Sequence, residues 1–173
     1  MRRMPLIRKC LQAIALAACL TTSSQVKALP IPSQQPIGEL ETVAEIQGAM
    51  PTGVAVSTSG RIFINYPRWG DDVPFTVAEI VEGKPLAFPN TALNQQGSVS
   101  TQENRIVSAQ SVVIDPSGNH LWIVDTGSLR PQPISYGGPK LIQVNLETNE
   151  VIRKILIEPD ALKPDTYLND VRF

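Results

Sequence analysis

The segment TGVAVSTSGRIFINYP starting at Thr52 returns in altered form as QSVVIDPSGNHLWIVDTG starting at Gln110, 58 positions later. The same alignment carries Gln110 onto Asn169 of NDVRF, a further 59 positions along. Self-similarity at a fixed period restricts a chain to stacked or circular repeats. Within each copy, two short runs of β-branched and aromatic residues flank a turn: Val54-Ala55-Val56 and Arg61-Ile62-Phe63-Ile64 around Ser57-Thr58-Ser59-Gly60, then Val112-Val113-Ile114 and Leu121-Trp122-Ile123-Val124 around Asp115-Pro116-Ser117-Gly118-Asn119. Each copy therefore reads as a β-hairpin.

Each unit has room for four strands. In the first, residues 75–81 and 86–88 supply the outer pair; in the second, residues 141–144 and 151–157 do so. Four-stranded antiparallel units in tandem predict an all-β fold of the β-propeller type. A β-solenoid fits less well, because its repeat is usually shorter. Blade 1 is predicted over residues 52–88 and blade 2 over residues 110–157, with the start of a third at 169–173. Residues 39–46 (ELETVAEI) alternate like a strand with no partner of their own, as a ring-closing strand would. On this reading the chain is an incomplete fragment of a ring: about two blades plus the beginning of a third. Repeat units lose interface energy where stacking stops, so such an arc is expected to be less stable than a closed ring.

MRRMPLIRKC places four cationic residues before the apolar run LQAIALAACL, and small and polar residues follow. That is the layout of a secretory signal peptide, assigned to residues 1–28, with an extended leader at 29–38. The apolar run, about 10 residues, is half the roughly 20 needed to span a bilayer. Leu16-Ala17-Ala18-Cys19 offers an alternative, a lipoprotein anchored through Cys19. Both expectations place the product outside the cytoplasm, extracellular or periplasmic.

Cys10 and Cys19, the two cysteines of the chain, fall in that segment, so the remaining 145 or so residues rely on their core and not on disulfides. Of 15 Lys and Arg, five (Arg2, Arg3, Arg8, Lys9 and Lys27) also lie there, which leaves 10 against 16 Asp and Glu, a net of −6. An acidic domain without a basic stripe is a poor partner for nucleic acid.

The segment IFINYPRWGDDVPFTVAEIV resembles the proline-arginine-tryptophan region of the major royal jelly and Yellow proteins. The resemblance continues through VSAQSVVIDPSGNHLWIVDTG and GGPKLIQVNLETNEVIRKI to YLNDVRF, covering roughly residues 39–173. It implies a secreted, six-bladed propeller. Insect members carry cysteines in this region and this chain has none there, which points to a bacterial or otherwise distant branch and weakens transfer of insect roles such as storage, pigmentation or dopachrome conversion.

Candidate site residues follow from residue chemistry. Tyr66-Pro67-Arg68-Trp69-Gly70 interrupts the strand pattern with a rigid turn. It is read foremost as a packing corner, with Arg68 pairing with Asp71 or Asp72 or stacking on Trp69. Arg68 and Trp69 are also candidates for lining a ligand site. Asp125, at the end of the strand LWIV, can cap the next turn or bind a ligand or cation. Asn169 opens the third inner strand, where side chains point into a propeller channel, and is the candidate metal ligand for a divalent cation such as calcium. His120, the single histidine, is read as a solvated turn residue; a serine triad would need a buried carboxylate and a serine beside it. Three functions stay open: a propeller that binds a small molecule or acts as a scaffold, a metal-assisted enzyme acting on a lactone or dopachrome-like compound, and an inactive fragment.

Overall fold

The structure is a computed structural model and describes residues 38–130 and 132–173. The predicted signal peptide with Cys10 and Cys19, and all but the last residue of the extended leader at 29–38, lie outside the described residues. Residues 41–173 form one compact unit.

Two four-stranded antiparallel sheets make up this unit, each with its strands side by side in chain order. The first contains β1 (Gly53–Val56), β2 (Ile62–Asn65), β3 (Val77–Val81) and β4 (Lys84–Ala87). The second contains β5 (Ala109–Ile114), β6 (His120–Thr126), β7 (Pro139–Asn145) and β8 (Val151–Leu156). Successive meanders of this kind are the blades of a β-propeller, and the chain folds as two of them. A one-turn helix, α1 (Thr91–Asn94), and a 3-10 helix over Val99–Asn104 lie in the connection between blades.

The two hairpins seen in the sequence are the β1–β2 and β5–β6 pairs. Gly60 (φ +83°) and Gly118 (φ +76°) hold the left-handed position of their turns, a conformation that costs glycine little. In both, the glycine amide donates to the carbonyl three residues back, Ser57 or Asp115, at 2.9 Å. Val56 pairs with Ile62 across five turn residues, and Ile114 with Leu121 across six. That extra residue shifts the repeat from 58 to 59 beyond the turn, so Phe63 corresponds to Trp122.

Strand alternation sends side chains to opposite faces, and the main core forms where the two blades meet. Phe63, Val77 and Phe88 from blade 1 pack with Val112, Leu121, Ile123, Ile142 and Val144 from blade 2. The other face of blade 1 carries Ile64, Tyr66, Val73 and Ala78, with Ile46 and Ala49 packed against them. Residues 39–46 are not a strand. Alternating side chains suggest a strand, but a strand exists only as part of a ladder, and no chain pairs with this segment here. Residues 169–173 are likewise unladdered. Phe173 nonetheless packs on Trp122 with ring centroids 5.6 Å apart, on the face that corresponds to the Phe63 side of blade 1.

Candidate functional site

Strands β1 and β5 are the edge strands of their sheets, so each leaves one row of backbone donors and acceptors unpaired. These two edges and the residues around Asn169 enclose an open groove of about 480 Å³. Thr52, Gln110, Ser111, Asn169, Asp170 and Arg172 supply its polar side chains. Asp170 accepts from Ser111 Oγ at 2.7 Å and from its neighbour's amide, Val171 N, at 2.8 Å, and forms an ion pair with Arg172. The Ser111 hydrogen bond is the main reason its carboxyl is held below the ordinary carboxylate range, against a smaller opposing push from burial.

Asn169 is therefore placed on the groove, beside a carboxylate already committed to a guanidinium. A hard cation such as calcium takes about 6–8 oxygen ligands. This groove offers the Asn169 amide, neutral oxygens and one carboxylate facing Arg172. Among the described residues no group of three or more His, Cys, Asp or Glu could hold a metal. Among the described residues the groove supplies fewer oxygen ligands than such a cation takes.

Trp69 is 42% exposed and donates from Nε1 to Tyr167 Oη at 2.7 Å. Tyr167 in turn donates to Gln110 Oε1 at 2.8 Å. Trp69 is thus linked through Tyr167 to Gln110, which shares the groove with Asn169.

Arg68 goes elsewhere. Its guanidinium, 3% exposed, donates to the carbonyls of Ile106 (3.1 Å), Val107 (2.7 Å) and Asn94 (2.6 Å). The expected partners are wrong: Asp71 and Asp72 are exposed, and Arg68 points inward to the connection between blades. Burial pulls its pKa down, opposed by the charge of Asp125. A buried guanidinium carries five N–H donors; carbonyls of the connecting loop accept from both terminal nitrogens where surface aspartates cannot, and Nε is left without a partner.

Asp125 is fully buried and accepts the amides of Val107 (2.7 Å), Ser108 (2.9 Å) and Gly127 (3.0 Å). It caps the next turn, as one sequence reading had it, and ties down the preceding connection as well. Lys140, also fully buried, pairs with it at 2.7 Å and donates to the carbonyls of Gly137 and Gly138. The structure brings Arg68 and Asp125 into one buried corner between blades, while Asn169 lines the groove and Trp69 reaches it only through Tyr167 and Gln110.

Residue chemistry alone overlooked Lys140 and Asn94. Asn94 Oδ1 accepts the amides of Thr76 and Val77, and its Nδ2 donates to the carbonyls of Phe88 and Asn90. Nothing in its flanking sequence announces this. Lys140 did leave a signal: it shares a strand face with Ile142 and Val144, where a charge requires a buried partner.

His120 is the first residue of β6 and half-buried, not a solvated turn residue. Its Nδ1 lies 2.9 Å from Asp115 Oδ2, and Ser117 Oγ donates to Asp115 Oδ1 at 2.5 Å. Serine, histidine and aspartate are adjacent here, yet Ser117 also approaches Nδ1, at 3.4 Å. A catalytic triad needs the serine on one ring nitrogen and the carboxylate on the other, so this cluster closes a turn. Burial pushes the Asp115 carboxyl up, but the bonds from Ser117 and His120 outweigh it and hold the carboxyl below its ordinary value. A depressed carboxyl stabilises the fold above its unfolded pKa of about 3.9 and loses that contribution as pH falls through the folded value. Asp115→Asn is accordingly expected to melt below the parent protein at pH 6, with the gap closing below about pH 4. A gap unchanged between pH 6 and pH 3 would show that the carboxylate charge contributes nothing.

Among the described residues, no helix is long and apolar enough to cross a membrane. The family model for the major royal jelly protein matches residues 107–172, from the connection through blade 2 to the groove residues. "Protein yellow" of Drosophila pseudoobscura pseudoobscura is 29% identical over 134 residues, covering 72% of this chain and 23% of that protein. The protein of the same name from Drosophila guanche is 30% identical over 132 residues, covering 71% and 22%. That from Drosophila melanogaster is 28% identical over 134 residues, covering 72% and 24%. The chain thus spans less than a quarter of the length of these relatives. The repeated blades, the proline-arginine-tryptophan corner and these matches agree: the chain belongs to the major royal jelly protein and Yellow family.

Proposed function

We propose that this protein is a secreted propeller that binds a small organic molecule without transforming it. The observation that carries the reading is the groove between β1 and β5, where two unpaired strand edges and the side chains of Thr52, Gln110, Ser111 and Asn169 converge. Ligand pockets combine a few placed polar groups with apolar wall, and Val54, Val56 and Val112 supply the wall here. Secretion is supported by the cationic and apolar layout of residues 1–28 and by the resemblance. Against catalysis by the described residues stand the geometry of the Asp115–Ser117–His120 cluster and the commitment of Asp170 to Arg172.

The test is a titration of the full chain with a catechol, L-dopa, and a lactone, dihydrocoumarin, followed by backbone amide shifts and by product formation. Binding without turnover is expected, with shifts centred on Val54, Gln110, Ser111 and Asn169. Asn169→Ala should weaken it by about tenfold, the loss of one hydrogen bond to the ligand. Lactone hydrolysis that requires calcium and disappears in Asn169→Ala would replace this reading with the enzymatic one. Absence of shifts in the groove with both probes would remove it as a ligand site.

A further inference from the structure

A second cleft, about 270 Å³, lies apart from the groove, between the connection joining the blades and the β6–β7 loop. Val99, Ile106, Val107 and Leu129 form apolar wall, with Gln102 and Arg105 beside them. The two loops are fastened to each other: Gln102 Nε2 donates to the carbonyls of Tyr136 (2.7 Å) and Ser135 (3.3 Å). A pinned cleft of this sort is organised before any ligand arrives, which lowers the entropy cost of binding.

Its electrostatics are one-sided. Arg105 is fixed by a bond from one terminal nitrogen to Ala92 O at 2.9 Å. Its stem lies over Gly97, where a Cβ would run into the Arg105 Cδ and Nε atoms. Among the described residues no carboxylate pairs with Arg105. Glu103, on the 3-10 helix beside the cleft, is exposed and outside its lining. Beneath the walls, Arg68 grips the carbonyls of Ile106 and Val107, and Lys140 those of Gly137 and Gly138, with Asp125 as the carboxylate between them. Two buried cations against one anion leave a net positive charge under the floor. Charges in low dielectric act over longer distances than in water. Val99, 68% exposed at this cleft, is an apolar side chain left in water.

We propose that this cleft binds a small monocarboxylate with an apolar body, its carboxylate on Arg105 and its hydrocarbon or aromatic part against Val99, Ile106, Val107 and Leu129. Arg favours carboxylates because its planar donors match both oxygens. One unpaired guanidinium over one excess buried charge suits a single negative charge. The volume lies below the roughly 300–1,000 Å³ of sites for drug-sized ligands, which selects a small body.

The test titrates the full chain with phenylacetate and with its neutral counterpart phenylacetamide, read by amide shifts. Phenylacetate is expected to move the amides of Gln102, Arg105, Val107 and Leu129, and to bind about tenfold more tightly than phenylacetamide. In Arg105→Gln that preference should vanish. Val99→Asn, at an exposed position that does not bear on folding, should weaken both probes by about threefold to tenfold. Equal binding of the two probes to the parent protein would overturn the proposal. So would an undiminished preference in Arg105→Gln, shifts confined to Val54, Gln110 and Asn169, or no shift by about 10 mM phenylacetate.

Discussion

Asp125→Ala is expected to lower the unfolding free energy by about 3–5 kcal/mol, the scale for removing one partner of a buried ion pair. The carboxylate satisfies three amides and faces Lys140 with neither side chain in contact with water. Without it, Lys140 and Arg68 remain buried as cations held by carbonyls alone. The loss therefore comes mostly from the charges left behind, which predicts a partial rescue. Lys140→Met added to Asp125→Ala should recover part of the loss, because Lys and Met have similar length and the methionine needs no counter-charge. Urea unfolding of the two single variants and the double variant measures this directly. A double variant as unstable as the sum of the singles would mean that the two side chains do not interact.

Phe63→Ala is expected to cost a similar amount, about 3–5 kcal/mol, through the cavity it opens between the blades. Phe63 is fully buried and its ring lies 4.7 Å from that of Phe88. The Arg61 guanidinium sits over both rings, at 5.1 and 5.3 Å. Arg61 also grips Glu79 with two nitrogens, at 2.6 and 2.7 Å, and reaches into blade 2 at Leu146 O and Asn149 Oδ1. Removal of the phenyl ring thus takes away inter-blade packing and the support of an inter-blade clamp together. Val54→Ala, on the face of β1 opposite Ala55 and 65% exposed, should stay within about 0.5 kcal/mol. Chemical denaturation of both variants distinguishes the faces of the β1–β2 hairpin. Comparable losses would mean that the register places Phe63 on the wrong side.

The hairpins were readable because their signals are local. Alternating β-branched residues and a glycine at the left-handed turn position act within about ten residues, and the observed strands begin and end within about three residues of the predicted ones. The packing role of Tyr66-Pro67-Arg68-Trp69-Gly70 was readable for the same reason, since proline removes a ladder donor. The partners of Arg68 were not. They are backbone carbonyls at Asn94, Ile106 and Val107, and a carbonyl has no signature in the residue that bears it. Aspartates three and four positions away looked better in one dimension. Asn94 was hidden likewise, because it imitates a strand neighbour with its side chain. Lys140 could have been found: strict alternation with Ile142 and Val144 places it inward, and the nearest strand-end carboxylate was Asp125. Residues 39–46 carry no ladder here; the ring-closing role expected of them depends on pairing with a last blade, which these two blades do not supply.

A propeller arrangement requires the two hairpins to lie side by side with their inner strands adjacent and Phe63 sealed between the sheets. Methyl and aromatic nuclear Overhauser effects in the labelled full chain test this most directly. Cross-peaks from Ala55 and the Phe63 ring to Val112, Ile114 and Ile123 are predicted, since all five belong to or pack against the inter-blade core, and Val54 should show none to Ile123. Cross-peaks confined within each hairpin, or joining Val54 and Ile64 to Ile123, would contradict it.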